Sequence, residues 1–122
     1  MMTSVLIIDD SPTETQAFSA VLREQGIDVL TAANGADGVA LAKKEQPDLV
    51  LMDIVMPGLN GFQATRQLSK DKLTANIPVI IVSTKGQETD RIWGQRQGAK
   101  GYLVKPIKKG LLLSTIDQVL NA

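Results

Sequence analysis

Four short apolar runs, each closed by a polar side chain, constrain this chain more than any other feature. VLII runs into Asp9 and Asp10, LVLM into Asp53, PVIIV into Ser83 and YLV into Lys105. Each run is apolar and β-branched enough to be a strand buried on both faces, the pattern of a parallel sheet. Parallel strands of a doubly wound sheet all end on one edge, and ligands bind just beyond it. The four ends are therefore predicted to converge. Acids, a hydroxyl and an ammonium meeting at one point suggest a metal-assisted phosphate site.

Between these runs the chain reads as alternating helix and strand. Ser11-Pro12-Thr13-Glu14 opens the first helix, with Ser11 as N-cap, Pro12 in the first turn and Glu14 completing a capping box. Phe18, Val21 and Leu22 give its apolar face and Gly26 ends it. The strands are expected at 4–9, 27–32, 48–53, 78–83 and 101–104. The later helices are expected at 35–45, 61–71 and 87–97, then one carrying the stripe Leu112, Leu113, Ile116, Val119 and Leu120. The order predicts an α/β fold of the (βα)5 type, with an open sheet and helices on both faces, because crossovers between parallel strands are right-handed. Residues 1–122 are expected to form one domain, with no second domain fused to it.

Composition removes several function classes. Thirteen basic and thirteen acidic residues cancel, so no overall charge favours nucleic acid or an anionic membrane. The absence of cysteine and histidine excludes thiol chemistry, histidine acid–base chemistry and the common zinc sites. The N-terminus lacks the basic start of a signal peptide, and no apolar run approaches the ~20 residues that span a bilayer. A cytoplasmic protein is expected.

Three carboxylates at one edge repel unless neutralised. Mg2+ accepts one or two carboxylates with a carbonyl and waters, and a phosphoryl oxygen can fill another position. Asp53, at the end of the central strand, is the candidate nucleophile. Lys105 and Ser83 can bind phosphoryl oxygens.

At this point the chain resembles the receiver domains of bacterial response regulators, in particular the chemotaxis type. The resemblance rests on IIDDS at 7–11, LMDIVMPGLNGF at 51–62, VIIVST at 79–84 and GAKGYLVKPI at 98–107, in the family's order and across nearly the whole chain. It implies a flavodoxin-like sheet in the order 2-1-3-4-5. By the same resemblance, Asp53 is the phosphoacceptor, and Asp9 and Asp10 hold Mg2+, with Asp10 favoured as the direct ligand. The Val55 carbonyl is a further ligand, Ser83 the switch hydroxyl, Lys105 the phosphate-reading lysine and Tyr102 the switch aromatic. The peptide bond before Pro106 matches one that is usually cis. Serine at the switch position lacks the methyl that restrains a threonine, which implies looser coupling. The apolar Val55 side chain is expected to affect dephosphorylation.

The resemblance further implies a chemotaxis-type sensor histidine kinase as phosphate source and a protein partner on the face of the fourth helix, fifth strand and last helix. A monomer is expected, with no nucleic-acid partner and no insertion into a membrane. The segment from Lys85 to Ile107 is most similar to stand-alone receivers of chemosensory systems for type IV pili and twitching motility. A phosphate sink for a shared kinase is the alternative output. An aspartyl phosphatase is less favoured, because Asp53-Ile54-Val55 lacks the second acid of Asp-x-Asp. A nucleotide-binding module is disfavoured by DDSPTE standing where a Gly-rich loop would be.

Several residues have plain readings. Trp93 is expected to pack in the core, with a partner-facing anchor as its alternative. Leu111 is expected to point away from the stripe of the last helix. Lys108 and Lys109 read as a solvated helix start, and Tyr102 taken alone as a half-buried aromatic.

Overall fold

The computed structural model describes residues 2–122. Its elements alternate as β1 (Ser4–Ile8), α1 (Pro12–Glu24), β2 (Asp28–Ala32), α2 (Gly35–Glu45), β3 (Leu49–Met52), α3 (Gly61–Lys70), β4 (Val79–Ser83), α4 (Glu88–Arg96), β5 (Gly101–Val104) and α5 (Lys109–Leu120). All strands are parallel and lie in the order β2-β1-β3-β4-β5, the order the resemblance implied.

The period-two geometry of a strand explains the layering. Val5, Ile7, Leu49, Leu51, Ile80 and Val82 face one side and pack with Leu22, Leu112 and Ile116 of α1 and α5. Leu6, Ile8, Val50, Met52 and Val79 face the other and pack with Val39, Ala42, Ala64 and Leu68 of α2 and α3. Each fully buried side chain of this size contributes about 1.5–3 kcal/mol. A third cluster of Ile54, Ile81 and Ala99, flanked by Phe62 and Tyr102, lies beside α4.

Local signals set the helix ends. Ser11 caps α1 by accepting from the Glu14 N–H at 3.3 Å, as expected. The expected capping box does not close, because the Glu14 carboxylate turns to Lys105. An ammonium is a stronger partner for a carboxylate than a neutral amide. At the other end of α1, Gly26 takes φ +75°. Its N–H reaches Arg23 O at 3.0 Å, and Ile27 N–H reaches Leu22 O at 3.2 Å. That is a Schellman motif, with Ile27 and Leu22 packed in one cluster. A reciprocal capping box does form at α3, where Asn60 and Gln63 exchange side-chain-to-backbone bonds of 2.9 Å each.

A second position departs from expectation. Trp93 is 50% exposed rather than in the core. The inward position of α4 belongs to Gly94, where an added Cβ would stand only 2.8 Å from Ile81 Cδ1. The residue before it is rotated about 100° around the helix and faces outward. Leu111 is exposed, as its register required. Lys109 pairs with Glu24 at 2.6 Å on the open surface, a contact worth about 0–1 kcal/mol.

Candidate functional site

Asp9 and Asp53 meet because β1 and β3 are neighbours in register, with Ile8 opposite Met52. The Asp53 N–H continues the ladder to the Ile8 carbonyl at 2.9 Å, so both aspartates emerge together at the sheet edge. Asp9, Asp10 and Asp53 each offer an oxygen within 4.8 Å of the others. Asp9 is 4% and Asp53 8% exposed, whereas Asp10 lies open to solvent.

Lys105 arrives at the end of β5. Its ammonium has three N–H donors and meets three carboxylates. Nζ lies 3.3 Å from Asp9 Oδ2, 3.3 Å from Asp53 Oδ1 and 2.7 Å from Glu14 Oε2. The Lys105–Pro106 peptide is cis, and the Lys105 N–H donates to the Ser83 carbonyl at 2.8 Å.

The charges do not balance, since one ammonium faces Asp9, Asp53 and Glu14, with Asp10 close by. Burial pushes the Asp53 carboxyl above its ordinary range, and the charge of Asp9 adds to this. Burial pushes Asp9 up in the same way, against the Ser11 N–H and Lys105, which favour its ionised form. Burial alone would lower the Lys105 ammonium. The Glu14 hydrogen bond and the charges of Asp53, Asp9 and Glu14 outweigh it, so the net shift is upward. Hard oxygen donors in a negative cluster, with acids that resist ionisation, form a site that fits a small divalent cation such as Mg2+.

The remaining predicted residues take distinct places. Val55 follows Asp53 in the β3–α3 loop, and its side chain is 60% exposed. Ser83 is fully buried, and its hydroxyl accepts from the Lys85 N–H at 3.1 Å. Tyr102 is half-buried. Its hydroxyl donates to the Lys85 carbonyl, and Arg91 stacks over its ring at 5.5 Å. Burial raises the Tyr102 hydroxyl, and Asp90 adds to the effect. Ser83 and Tyr102 thus hold the two backbone groups of the same residue.

Gly61 makes the loop compact. A Cβ there would collide with the Asp53 carbonyl and stand 2.7 Å from Ile54 Cα. Sequence reasoning overlooked Glu14, Lys85 and Arg91 as members of this neighbourhood. The capping pattern at Ser11 competed for Glu14, while Lys85 takes part through its backbone, which carries no residue signal. Among the described residues, no helix is long and apolar enough to cross a membrane.

The family model for the response regulator receiver domain matches residues 5–117. Protein PilH of Pseudomonas aeruginosa is 64% identical over 119 residues, covering 98% of each chain. The DNA-binding dual master transcriptional regulator RpaA of Synechocystis is 39% identical over 120 residues, and this chain spans 50% of its length. The chemotaxis protein CheY4 of Vibrio cholerae superposes with a TM-score of 0.92 at 32% identity, covering 98% of this chain and 99% of that one. The receiver domain of the sensor histidine kinase PA1611 from P. aeruginosa superposes with a TM-score of 0.92 at 27% identity over the full length of both chains. That structure has a magnesium ion coordinated in its active site cleft.

Proposed function

The chain belongs to the response regulator receiver domain family, and from that premise we propose that it is a phosphorylation-activated switch. The observation that carries the reading is Lys105 Nζ poised between Asp9 and Asp53 at 3.3 Å each, beside an acidic cluster suited to Mg2+.

In this reading Asp53 accepts a phosphoryl group from the phosphohistidine of a sensor kinase. A carboxylate oxygen attacks phosphorus and forms the P–O bond. The P–N bond breaks, and the departing imidazole keeps the electron pair and takes up a proton. Asp9, Asp10, Asp53 and the Val55 carbonyl would hold Mg2+, which neutralises charge on the phosphoryl oxygens when bound. Lys105 supplies a second positive charge, and Ser83 a hydroxyl that can donate to a phosphoryl oxygen while its own oxygen accepts from the Lys85 N–H.

The phosphoryl group adds a charge of about −1.5 to −2. Drawing Ser83 and Lys105 toward it would disturb the Lys85 backbone to which Tyr102 is tied. That contact leads to the face of α4, β5 and α5, which we assign to the downstream protein partner. Driving such an equilibrium from 1:99 to 99:1 requires roughly 5.5 kcal/mol of differential stabilisation. The chemistry is self-modification rather than turnover of a substrate.

The identity to PilH over 98% of both chains supports a place in the chemosensory control of type IV pilus twitching motility. A monomer in the cytoplasm, signalling by protein contact, completes the reading. Acetyl phosphate with Mg2+ should phosphorylate wild type at one site, read by intact mass, and leave Asp53→Asn unmodified. Uptake by Asp53→Asn would overturn the assignment. Beryllofluoride should change which proteins wild type captures but not those captured by Asp53→Ala. A deletion strain that twitches normally would remove the pilus pathway.

A further inference from the structure

We propose that Glu14 is a positioning residue for Lys105, sharing its ammonium with the Asp9–Asp53 pair and so loosening its hold on them until a phosphoryl group displaces the contact. The inference rests on the reading of Asp53 as phosphoacceptor and gives that site a control the receiver reading does not supply.

Three observations carry it. The Glu14 contact is the shortest of the three that Lys105 makes, 2.7 Å against 3.3 Å to each aspartate. Glu14 sits in the first turn of α1, where its side chain was expected to close a capping box and does not. The α1 N-terminus is capped by Ser11 without help from the Glu14 side chain, so that carboxylate is not needed to form the helix.

An ammonium drawn toward Glu14 leaves the inner oxygens of Asp9 and Asp53 more open to a cation. Without the Glu14 charge, the 3.3 Å contacts of Lys105 to the two aspartates tighten and compete more strongly with Mg2+. The same displacement brings the ammonium nearer to where a phosphoryl oxygen on Asp53 would lie. Glu14 therefore favours the metal-loaded, unphosphorylated site and opposes the phosphorylated one. The Glu14 side chain is 41% exposed, so water screens the pair and its effect is modest.

The test compares wild type, Glu14→Gln and Glu14→Asp. Calorimetry gives the Mg2+ affinity. The rate of phosphate uptake against acetyl phosphate concentration, at saturating Mg2+, gives the half-saturating concentration and the limiting rate of a single phosphorylation. Both variants should bind Mg2+ roughly two- to fivefold more weakly and show a half-saturating acetyl phosphate concentration lower by a similar factor. Aspartate keeps the charge but lacks the reach, so it separates positioning from simple electrostatic influence. If Glu14→Asp behaves as wild type while Glu14→Gln does not, or if neither differs, the proposal is wrong. Calorimetry decides independently of phosphorylation. A wild type that binds Mg2+ but takes up no phosphate would sink the phosphoacceptor reading, and altered Mg2+ affinity in both variants would still uphold Glu14 as the residue that places Lys105.

Discussion

The Tyr102 hydroxyl donates to the Lys85 carbonyl at 2.5 Å, across 17 residues of chain, while the Lys85 N–H donates to Ser83. Replacing Tyr102 by Phe keeps the ring beneath Arg91 and removes only the donor. The fold should lose about 0.5–1.5 kcal/mol, read by denaturant unfolding. Asp53 should still take up phosphate. Amide shifts induced by beryllofluoride around residues 101–104 should be smaller than in wild type.

Asp53 gives a pH prediction for the metal-free protein. Its carboxyl lies above the ordinary value of 3.8 when folded, so the folded state binds more protons than the unfolded state in the window above that value. Stability falls as pH rises through the window, and the ionised carboxylate opposes folding at neutral pH. Asp53→Asn should therefore melt higher than wild type at pH 7 in the presence of chelator. The advantage should vanish as pH falls below 3.8. Lys105 acts at the other end of the scale. Its raised ammonium stabilises the fold below the ordinary value of 10.5, and the contribution is lost as pH climbs past the folded value.

Metal should relieve the same repulsion. Mg2+ at ten times its Kd should add roughly 1.4 kcal/mol to the folded state, visible as a rise in Tm. Asp10→Asn should weaken this response. It should leave the metal-free Tm nearly unchanged, because Asp10 lies open to solvent. An unaltered Mg2+ response in Asp10→Asn would remove it from the ligand set.

Gly61→Ala should damage the site from behind. The new methyl would meet backbone at Asp53 and Ile54, which cannot rotate away. A cost of about 1–3 kcal/mol is expected from such overpacking. Mg2+ affinity should fall with it, since Asp53 must shift. Denaturant unfolding and calorimetry on the same sample would show both effects.

Much of this was legible in the sequence for a physical reason. β1, β3 and β4 are buried on both sides, so they read as continuous apolar runs, and parallel pairing forces their ends together. The order of the strands came from the resemblance, because hydrophobic pattern alone does not say which strand neighbours which. Residue type favours burial of Trp93, but its neighbour Gly94 occupies the inward position of α4 and turns the indole outward. Local spacing favours a capping box for Glu14. The partner that won lies 91 residues away along the chain, beyond any local pattern.

The bond from the Lys105 N–H to the Ser83 carbonyl has a mechanical consequence. The lysine and the hydroxyl stand on one continuous ladder, which ties the ends of β4 and β5 to each other. Any shift of either backbone is therefore expected to be shared by its neighbour, which makes the two side chains a poor target for separate adjustment.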